Sequence, residues 1–216
     1  MQKLILFDFD GVIIDSFPTA FWTQQLMCPD VTEDQYRILF EGNIFNTAQS
    51  YLAGTAHSEL CRHDIDFWEQ YIPKLKQEGR LVAGMDKVIR TLAQNHDLII
   101  VSSGQTLFIE NFLVDHHLMD CFKHVMGNDV HKSKEEKIKM VFTKYGTDAS
   151  QCVFITDTLG DVREATKMNV GAIGVTWGFH EAERLAKGDP FRLVETPALL
   201  PASIADYFSS LIQSEG

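Results

Sequence analysis

Short runs of apolar residues recur along most of the chain, and each ends in small or acidic polar residues. The first run, residues 4–9, is continuously apolar rather than alternating, which is typical of a strand buried on both faces of a parallel sheet. Similar runs occur at 97–104, 151–161 and 171–178, and a weaker one reads FKHVMGND at 122–129. Each of these runs is predicted to be a parallel strand.

Amphipathic helical patterns separate these runs, since apolar residues recur three and four positions apart in MDKVIRTLAQN, TLFIENFLVDHH and KEEKIKMVFTKY. The predicted apolar faces contain Met85, Val88, Ile89, Leu92 and Ala93; Leu107, Phe108, Phe112 and Leu113; and Ile138, Val141, Phe142 and Tyr145. Strand and helix alternate from Gly84 onwards. The alternation predicts an α/β fold with a doubly wound, Rossmann-like parallel sheet.

Residues 16–80 interrupt this alternation and contain no comparable strand run. They are predicted to form several short helices, one of them capped by Thr32 and carrying Glu33 and Asp34 in its first turn. We therefore expect an α/β core made of residues 1–15 and 81–216. Residues 16–80, called the cap below, are expected to form a small all-helical domain inserted after the first strand.

Composition is ordinary for a globular protein, with 45% hydrophobic and 23% charged residues, and the net charge is −11. The acidic balance argues against a nucleic-acid or membrane partner. The four cysteines, Cys28, Cys61, Cys121 and Cys152, match no zinc-binding spacing and are expected to be reduced. With no signal peptide or membrane-spanning run apparent, a cytoplasmic location is predicted.

Polar side chains follow the carboxyl ends of the predicted strands, where open parallel sheets bind ligands. They are Asp8, Asp10, Ser102, Ser103, Gly104, Asp157 and Asp161. Carboxylates this close together raise each other's pKa unless a cation compensates them. Mg²⁺, a hard cation with oxygen ligands, is the expected cofactor.

A phosphate group suits the remaining residues of this edge. Ser102 supplies a hydroxyl, and the SSG turn offers backbone N–H groups near a helix start, an arrangement that binds anions. Lys134, just before a predicted helix, can supply positive charge. The expected partner is therefore a small phosphorylated metabolite.

These residues also resemble the four motifs of the haloacid dehalogenase superfamily. DFDGVIID resembles the first motif in its phosphatase form, IIVSSG the second, HKSKEEK the third and FITDTLGD the fourth. The motifs occur in family order over nearly the whole chain. LVAGMDKVIRTL resembles the segment by which such chains return to the core. The branch indicated is that of phosphoglycolate phosphatases and β-phosphoglucomutases with a helical cap.

The resemblance implies a role for each motif residue. Asp8 would be the nucleophile that forms an aspartyl-phosphate, and Asp10 would be the general acid and base. The Asp8 side chain, the Asp10 carbonyl and the Asp157 side chain would hold Mg²⁺, with Asp161 acting through water or a neighbouring ligand. Ser102 and Lys134 would hold the phosphoryl oxygens, with Ser103 and Gly104 in the same loop.

Three features leave alternatives open. Thr156 stands where the fourth motif commonly has glycine, which makes the geometry of that loop harder to predict. Lys132 competes with Lys134 for the third motif, although Lys134 leads directly into the helix. The segment EGNIFNT, residues 41–47, occupies the part of the cap where relatives carry a specificity loop.

The function that fits best is a cytoplasmic, Mg²⁺-dependent phosphatase acting on a small phosphate monoester, such as a sugar phosphate or phosphoglycolate. A phosphomutase of the β-phosphoglucomutase type is the main alternative. A dehalogenase is less favoured because Asp10 is present, whereas relatives that cleave carbon–halogen bonds lack the second aspartate. A phospho-acceptor signalling domain is less favoured because such domains are shorter and lack a helical insertion.

Overall fold

A computed structural model describes residues 3–53 and 61–213, the side chains of 49–53 and 213 excepted. Its main sheet has six strands in the order β5-β4-β1-β6-β7-β8, and every neighbouring pair is parallel. These strands are β1 (Lys3–Phe7), β4 (His96–Val101), β5 (Phe122–Met126), β6 (Cys152–Thr156), β7 (Gly171–Val175) and β8 (Arg192–Val194). A second sheet pairs β2 (Ile14–Asp15) antiparallel with β3 (Arg80–Leu81).

Helices cover both faces of the main sheet. On one face Ile5 and Phe7 share a core with α5 (Met85–Ala93), α6 (Thr106–Asp115) and α10 (Leu200–Gln213). On the other face Leu4 and Leu6 share a core with α7 (Lys134–Tyr145), α8 (Leu159–Lys167) and α9 (Ala182–Ala186). Burial on both faces explains the continuous apolar run of β1. The predicted doubly wound α/β fold is confirmed.

The three predicted core helices, α5, α6 and α7, all form. Their buried faces contain most of the expected residues, including Ile89, Phe112 and Val141. Leu107 is an exception, with 69% of its surface exposed. Leu107 was wrongly placed on the buried face, because that face is centred on Phe108, Ile109 and Phe112 and a helix turns Leu107 away from it.

Helices also form the inserted segment. They are α1 (Phe17–Met27), α2 (Glu33–Ile38), α3 (Ile44–Ala53) and α4 (Phe67–Glu78), with a 3₁₀ turn at Leu39–Glu41. The Thr32 hydroxyl accepts the Gln35 N–H while the Gln35 side chain accepts the Thr32 N–H, which is a capping box. The β2–β3 ribbon joins the two ends of this segment.

The cysteines differ from the expectation that all four are reduced. Cys28, just after α1, is disulfide-bonded to Cys61, whereas Cys121 and Cys152 are free thiols. The prediction was wrong for that pair because residues 33 positions apart give no spacing signal. Disulfides are typical of oxidising compartments, so the cysteines no longer favour the cytoplasm. Within the described ranges, no helix is both long and apolar enough to span a bilayer.

Candidate active site

Asp8 and Asp10 lie just beyond the carboxyl end of the central strand β1. The Asp8 N–H donates to the Ile155 carbonyl at 2.9 Å, which extends the β1–β6 pairing by one residue. Phe9 turns the opposite way and contacts the ring of Phe112. Both carboxylates therefore open into one cavity that lies between the core and the cap.

Lys134 is buried at the first position of α7, a helix capped by the Ser133 hydroxyl. Its ammonium Nζ lies 2.7 Å from Asp8 Oδ2 and 2.5 Å from Asp161 Oδ2. Lys132 instead lies over the Phe45 ring, 5.4 Å from its centroid. Of the two lysines that the sequence left open, Lys134 is the one placed against the carboxylates.

Asp161 is held in the first turn of α8 by groups on both sides. The Thr156 hydroxyl donates to Asp161 Oδ2 at 2.7 Å, and the Asp161 N–H donates to the hydroxyl of the capping residue Thr158. Thr156, which differs from the usual glycine of the fourth motif, thus adds a hydrogen bond that glycine lacks. Thr156 ends β6 as a regular strand residue, and α8 begins three residues later at Leu159.

Asp157 is fully buried, and only one of its two carboxylate oxygens has a partner among the described residues. Its Oδ2 accepts the Phe179 N–H at 2.6 Å, whereas Oδ1 has no hydrogen-bond partner in the part of the chain that the structure describes. Two glycines make room for the carboxylate, since a Cβ at Gly11 or Gly178 would lie 1.9 or 2.2 Å from Asp157 Oδ2. Gly11 also has a φ of +73°, a backbone conformation that favours glycine.

The electrostatics of the site fit a cation beside Asp8 and Asp157. Burial raises the pKa of Asp157 to about 7, and burial raises that of Asp8 although Lys134 opposes the shift. Burial also raises the pKa of Asp161, but Lys134 and several hydrogen bonds outweigh this and hold it below the usual value. Burial lowers the pKa of Lys134, yet Asp161 and Asp8 outweigh it, so Lys134 stays charged.

A divalent cation would stabilise the ionised forms of Asp8 and Asp157 and engage the unpartnered oxygen of Asp157. In the part of the chain that the structure describes, no three His, Cys, Asp or Glu side chains converge as a metal cluster. The set expected from the sequence has two direct carboxylate ligands, Asp8 and Asp157, beside the Asp10 carbonyl, with Asp161 acting through water or a neighbouring ligand. The residues present therefore fit Mg²⁺ held by these three groups and water.

The loop after β4 supplies the predicted anion-binding groups. Ser103 and Gly104 line the cavity. Ser102 is buried behind them, and its hydroxyl accepts the Gly104 N–H at 2.9 Å. A hydroxyl accepts and donates at once, so Ser102 keeps one proton to donate. The Lys137 ammonium donates to the Ser102 carbonyl and fixes this loop from below.

The segment 41–47 docks the cap on the fourth motif. Asn43 Nδ2 donates to the Lys132 carbonyl at 3.1 Å and to Glu164 Oε1 at 3.2 Å. Glu164 Oε1 also accepts the Lys134 N–H at 3.1 Å. A Cβ at Gly160 would lie only 2.3 Å from the Gly42 carbonyl oxygen. The cap can therefore approach the DTLGD turn this closely only because residue 160 has no side chain.

Three residues of the site were not identified by sequence analysis. The Tyr71 hydroxyl of α4 donates to Asp10 Oδ1 at 2.6 Å. Lys137 was hidden among five lysines between 132 and 144. His180 is buried between core and cap, accepting the Leu159 N–H at Nδ1, so Nε2 donates to the Arg37 carbonyl at 2.8 Å. For Lys137 the helical spacing from Lys134 was a usable signal; the other two had none.

The fold is a parallel α/β sheet with a helical insertion, and a buried aspartate–lysine–aspartate cluster lies beyond its strand ends. These features are those expected of an enzyme of the hydrolase class. Residues 5–175 match the sequence model of the haloacid dehalogenase-like hydrolases. The chain belongs to this family. The predicted family and the prediction of a hydrolase are both confirmed.

Comparison with individual proteins agrees with this assignment. The chain is 26% identical over 207 residues to phosphoglycolate phosphatase of Synechococcus elongatus, covering 91% of this chain and 94% of that protein. It is 25% identical over 210 residues to the probable phosphatase IndB of Dickeya dadantii, covering 91% and 90%. A haloacid dehalogenase-like protein from Agrobacterium tumefaciens shares the fold, with TM-score 0.77, 19% identity and coverage of 95% and 99%.

Proposed function

We propose that the chain is a Mg²⁺-dependent phosphatase that hydrolyses a phosphate monoester through an aspartyl-phosphate on Asp8. The observation that carries the proposal is the placement of Asp8, Asp10 and Lys134 in the wall of one cavity. Lys134 contacts Asp8 and can also hold an anionic phosphoryl group. The phosphatase names of the two sequence relatives support the same chemistry.

The two aspartates divide the reaction between them. Asp8 attacks phosphorus while the bond to the leaving oxygen breaks, and Asp10 gives that oxygen a proton. Water then attacks the phosphoryl group, Asp10 takes a proton from the water, and phosphate leaves with Asp8 restored. When bound at Asp8 and Asp157, Mg²⁺ supplies charge neutralisation for the phosphoryl oxygens. The docked cap shields the cavity from bulk water.

The test is a phosphate-release assay with a panel of phosphate monoesters, applied to the wild type and to Asp8→Asn. The substitution preserves size but removes the nucleophile, so kcat should fall by at least about a thousandfold. Circular dichroism serves as the folding control. Turnover retained by the folded variant would exclude Asp8 as nucleophile. An isomeric sugar phosphate formed in place of free phosphate would instead indicate a phosphomutase.

A further inference from the structure

The cavity that contains Asp8 and Asp10 is much larger than a phosphoryl group. Its volume is about 570 Å³, and it extends from the strand ends to the underside of the cap helices α1, α3 and α4. Cavities of roughly 300–1,000 Å³ typically hold whole ligands of drug-like size. The part beyond the phosphoryl position is therefore available to the alcohol half of a substrate.

Aromatic rings form one wall of this space. Phe67, Trp68 and Tyr71 of α4 line the cavity together, with centroid separations of 5.4 Å for Phe67–Trp68 and 5.9 Å for Trp68–Tyr71. Phe40, Phe45 and other apolar side chains line the same space. By contrast, Phe17, Phe21 and Trp22 form a separate shallow depression outside the cavity. The cavity wall is suited to apolar contact.

Charge in the cavity disfavours a second anionic group on the substrate. Of the described residues that line it, Lys134 and Arg62 carry a permanent positive charge, and His63 is a third basic side chain, exposed like Arg62. Lys134 is already paired with two aspartates, and Arg62 is half-exposed and pairs with Asp64 at 3.1 Å. Asp8, Asp161 and Glu164 add acidic groups to the lining. Lys134 is the only buried cation among these described residues, so a carboxylate buried beside the reaction centre would have no second buried counter-charge, at considerable desolvation cost.

Tyr71 connects this aromatic wall to the reacting atoms. Its hydroxyl donates to Asp10 Oδ1 at 2.6 Å, and Asp10 is the proposed donor of a proton to the leaving oxygen. The carbon chain attached to that oxygen must therefore leave the reaction centre beside the Tyr71 ring. Trp68 and Phe67 lie next along this path.

We propose that the substrate is the phosphate ester of a bulky, predominantly apolar or aromatic alcohol, whose apolar part contacts the α4 ring cluster of Phe67, Trp68 and Tyr71. The inference rests on the proposed phosphatase function. A compact anionic ester such as phosphoglycolate leaves the rings in contact with water and brings a carboxylate for which the described lining residues hold no second buried counter-charge. An apolar group displaces that water, which favours binding in proportion to the apolar area covered.

The experiment compares kcat/KM for methyl phosphate, phosphoglycolate and 2-phenylethyl phosphate in the presence of Mg²⁺. The phenylethyl ester should exceed each of the others by about thirtyfold or more, the discrimination expected when apolar groups fill a matching pocket. Trp68→Ala should lower the preference for the phenylethyl ester over the methyl ester by about tenfold. Trp22→Ala, which removes an indole outside the cavity, should leave the preference unchanged.

A binding measurement keeps the test independent of turnover and of the Trp68 variant. Isothermal titration of the wild type should show 2-phenylethylphosphonate binding at least about tenfold more tightly than methylphosphonate. Equal binding, or a preference for phosphoglycolate among the esters, overturns the inference while leaving the phosphatase proposal intact. Release of phosphate from none of the esters overturns the phosphatase proposal, and the inference with it.

Discussion

Lys137 is a buried lysine whose ammonium group donates to two backbone carbonyls, those of Ser102 and Gly127. Burial, with the charge of Lys134 acting in the same direction, lowers its pKa to about 8. In the unfolded chain this lysine keeps its proton up to its ordinary pKa of 10.5. Between these two pH values the unfolded state holds more protons, so this group makes stability rise with pH.

The wild type should therefore gain stability relative to Lys137→Met as pH increases from 8 to 10. The gain is at most about 1.4 kcal/mol of unfolding free energy per pH unit. The contribution of Lys137 to stability is fully present above pH 10.5 and is lost as the pH falls through 8. Urea denaturation of both proteins at several pH values measures the difference. Parallel pH profiles would show that Lys137 does not lose its proton in this range.

Tyr71 is expected to position Asp10 for proton transfer. Tyr71→Phe removes a hydrogen bond to a carboxylate, worth about 1.5–3 kcal/mol, while keeping the ring. We expect kcat to fall about tenfold for an alkyl phosphate, but less for p-nitrophenyl phosphate, whose leaving group needs little protonation. Tyr207→Phe is the matched control, since it removes a buried hydroxyl that accepts the Gly171 N–H far from the site. Equal losses for both esters would argue against the positioning role.

At the residue scale, sequence analysis identified the site residues that belong to local sequence motifs. Asp8, Asp10, Asp157 and Asp161 each follow a strand run at a recognisable spacing. Tyr71 could not be found in this way, because it comes from the cap, 61 residues from its partner Asp10. Such a contact depends on how the cap folds back over the strand ends, and a tyrosine inside an amphipathic helix gives no local indication of it.

At the scale of elements, the loop after β7 shapes the proposed metal site without contributing a ligand side chain. Gly178→Ala would place a methyl carbon 2.2 Å from Asp157 Oδ2, where the carboxylate must move away. The Mg²⁺ concentration for half-maximal activity should rise at least about tenfold, as expected when support of a metal ligand is lost. Titration of activity with Mg²⁺ gives the value.

Gly146→Ala provides the control for this loop. Gly146 ends α7 with φ +59° and has open space around its Cα, so alanine strains the backbone without touching the site. The control should lose thermal stability and keep its Mg²⁺ dependence. If Gly178→Ala likewise loses thermal stability but keeps its Mg²⁺ dependence, the position of Asp157 does not depend on the space that Gly178 leaves.

The elements with strong local signals were predictable, and those made by distant pairing were not. Helices α5, α6 and α7 follow from periodicity, and α2 follows from Thr32 with its acidic first turn. The β2–β3 ribbon has only two residues in each strand, too few to show a pattern. Likewise the Cys28–Cys61 bond depends on how α1 meets the segment at residue 61, which composition cannot encode.

At the scale of the whole molecule, we expect the proposed cation to stabilise the fold as well as to support activity, because the net charge is −11 and the aspartates of the site are buried. EDTA should abolish phosphate release, and added Mg²⁺ should restore it. Mg²⁺ should also raise the melting temperature, because a ligand that binds only the folded state stabilises it. Calorimetry with and without Mg²⁺ measures this. Full activity in EDTA would contradict the proposed carboxylate–metal site.

The overall architecture follows from the sequence because alternation of strand and helix leaves few ways to build a sheet. The register that places β1 between β4 and β6 also brings the ends of these strands together. The docking of the cap was not predictable, since it depends on polar contacts such as Asn43 with Glu164, 121 residues apart. These contacts determine the size and lining of the cavity, and so the substrate.

The close approach of Gly160 to Gly42 limits how this enzyme can diversify. The turn that carries Asp161 also contacts the cap. Any side chain at residue 160 would therefore push the cap away from the core. Phe67 and Trp68 on α4 take no part in this contact, so they can be exchanged without disturbing it, whereas Tyr71 also bonds to Asp10. We therefore expect changes of specificity at Phe67 and Trp68, while residue 160 must remain glycine.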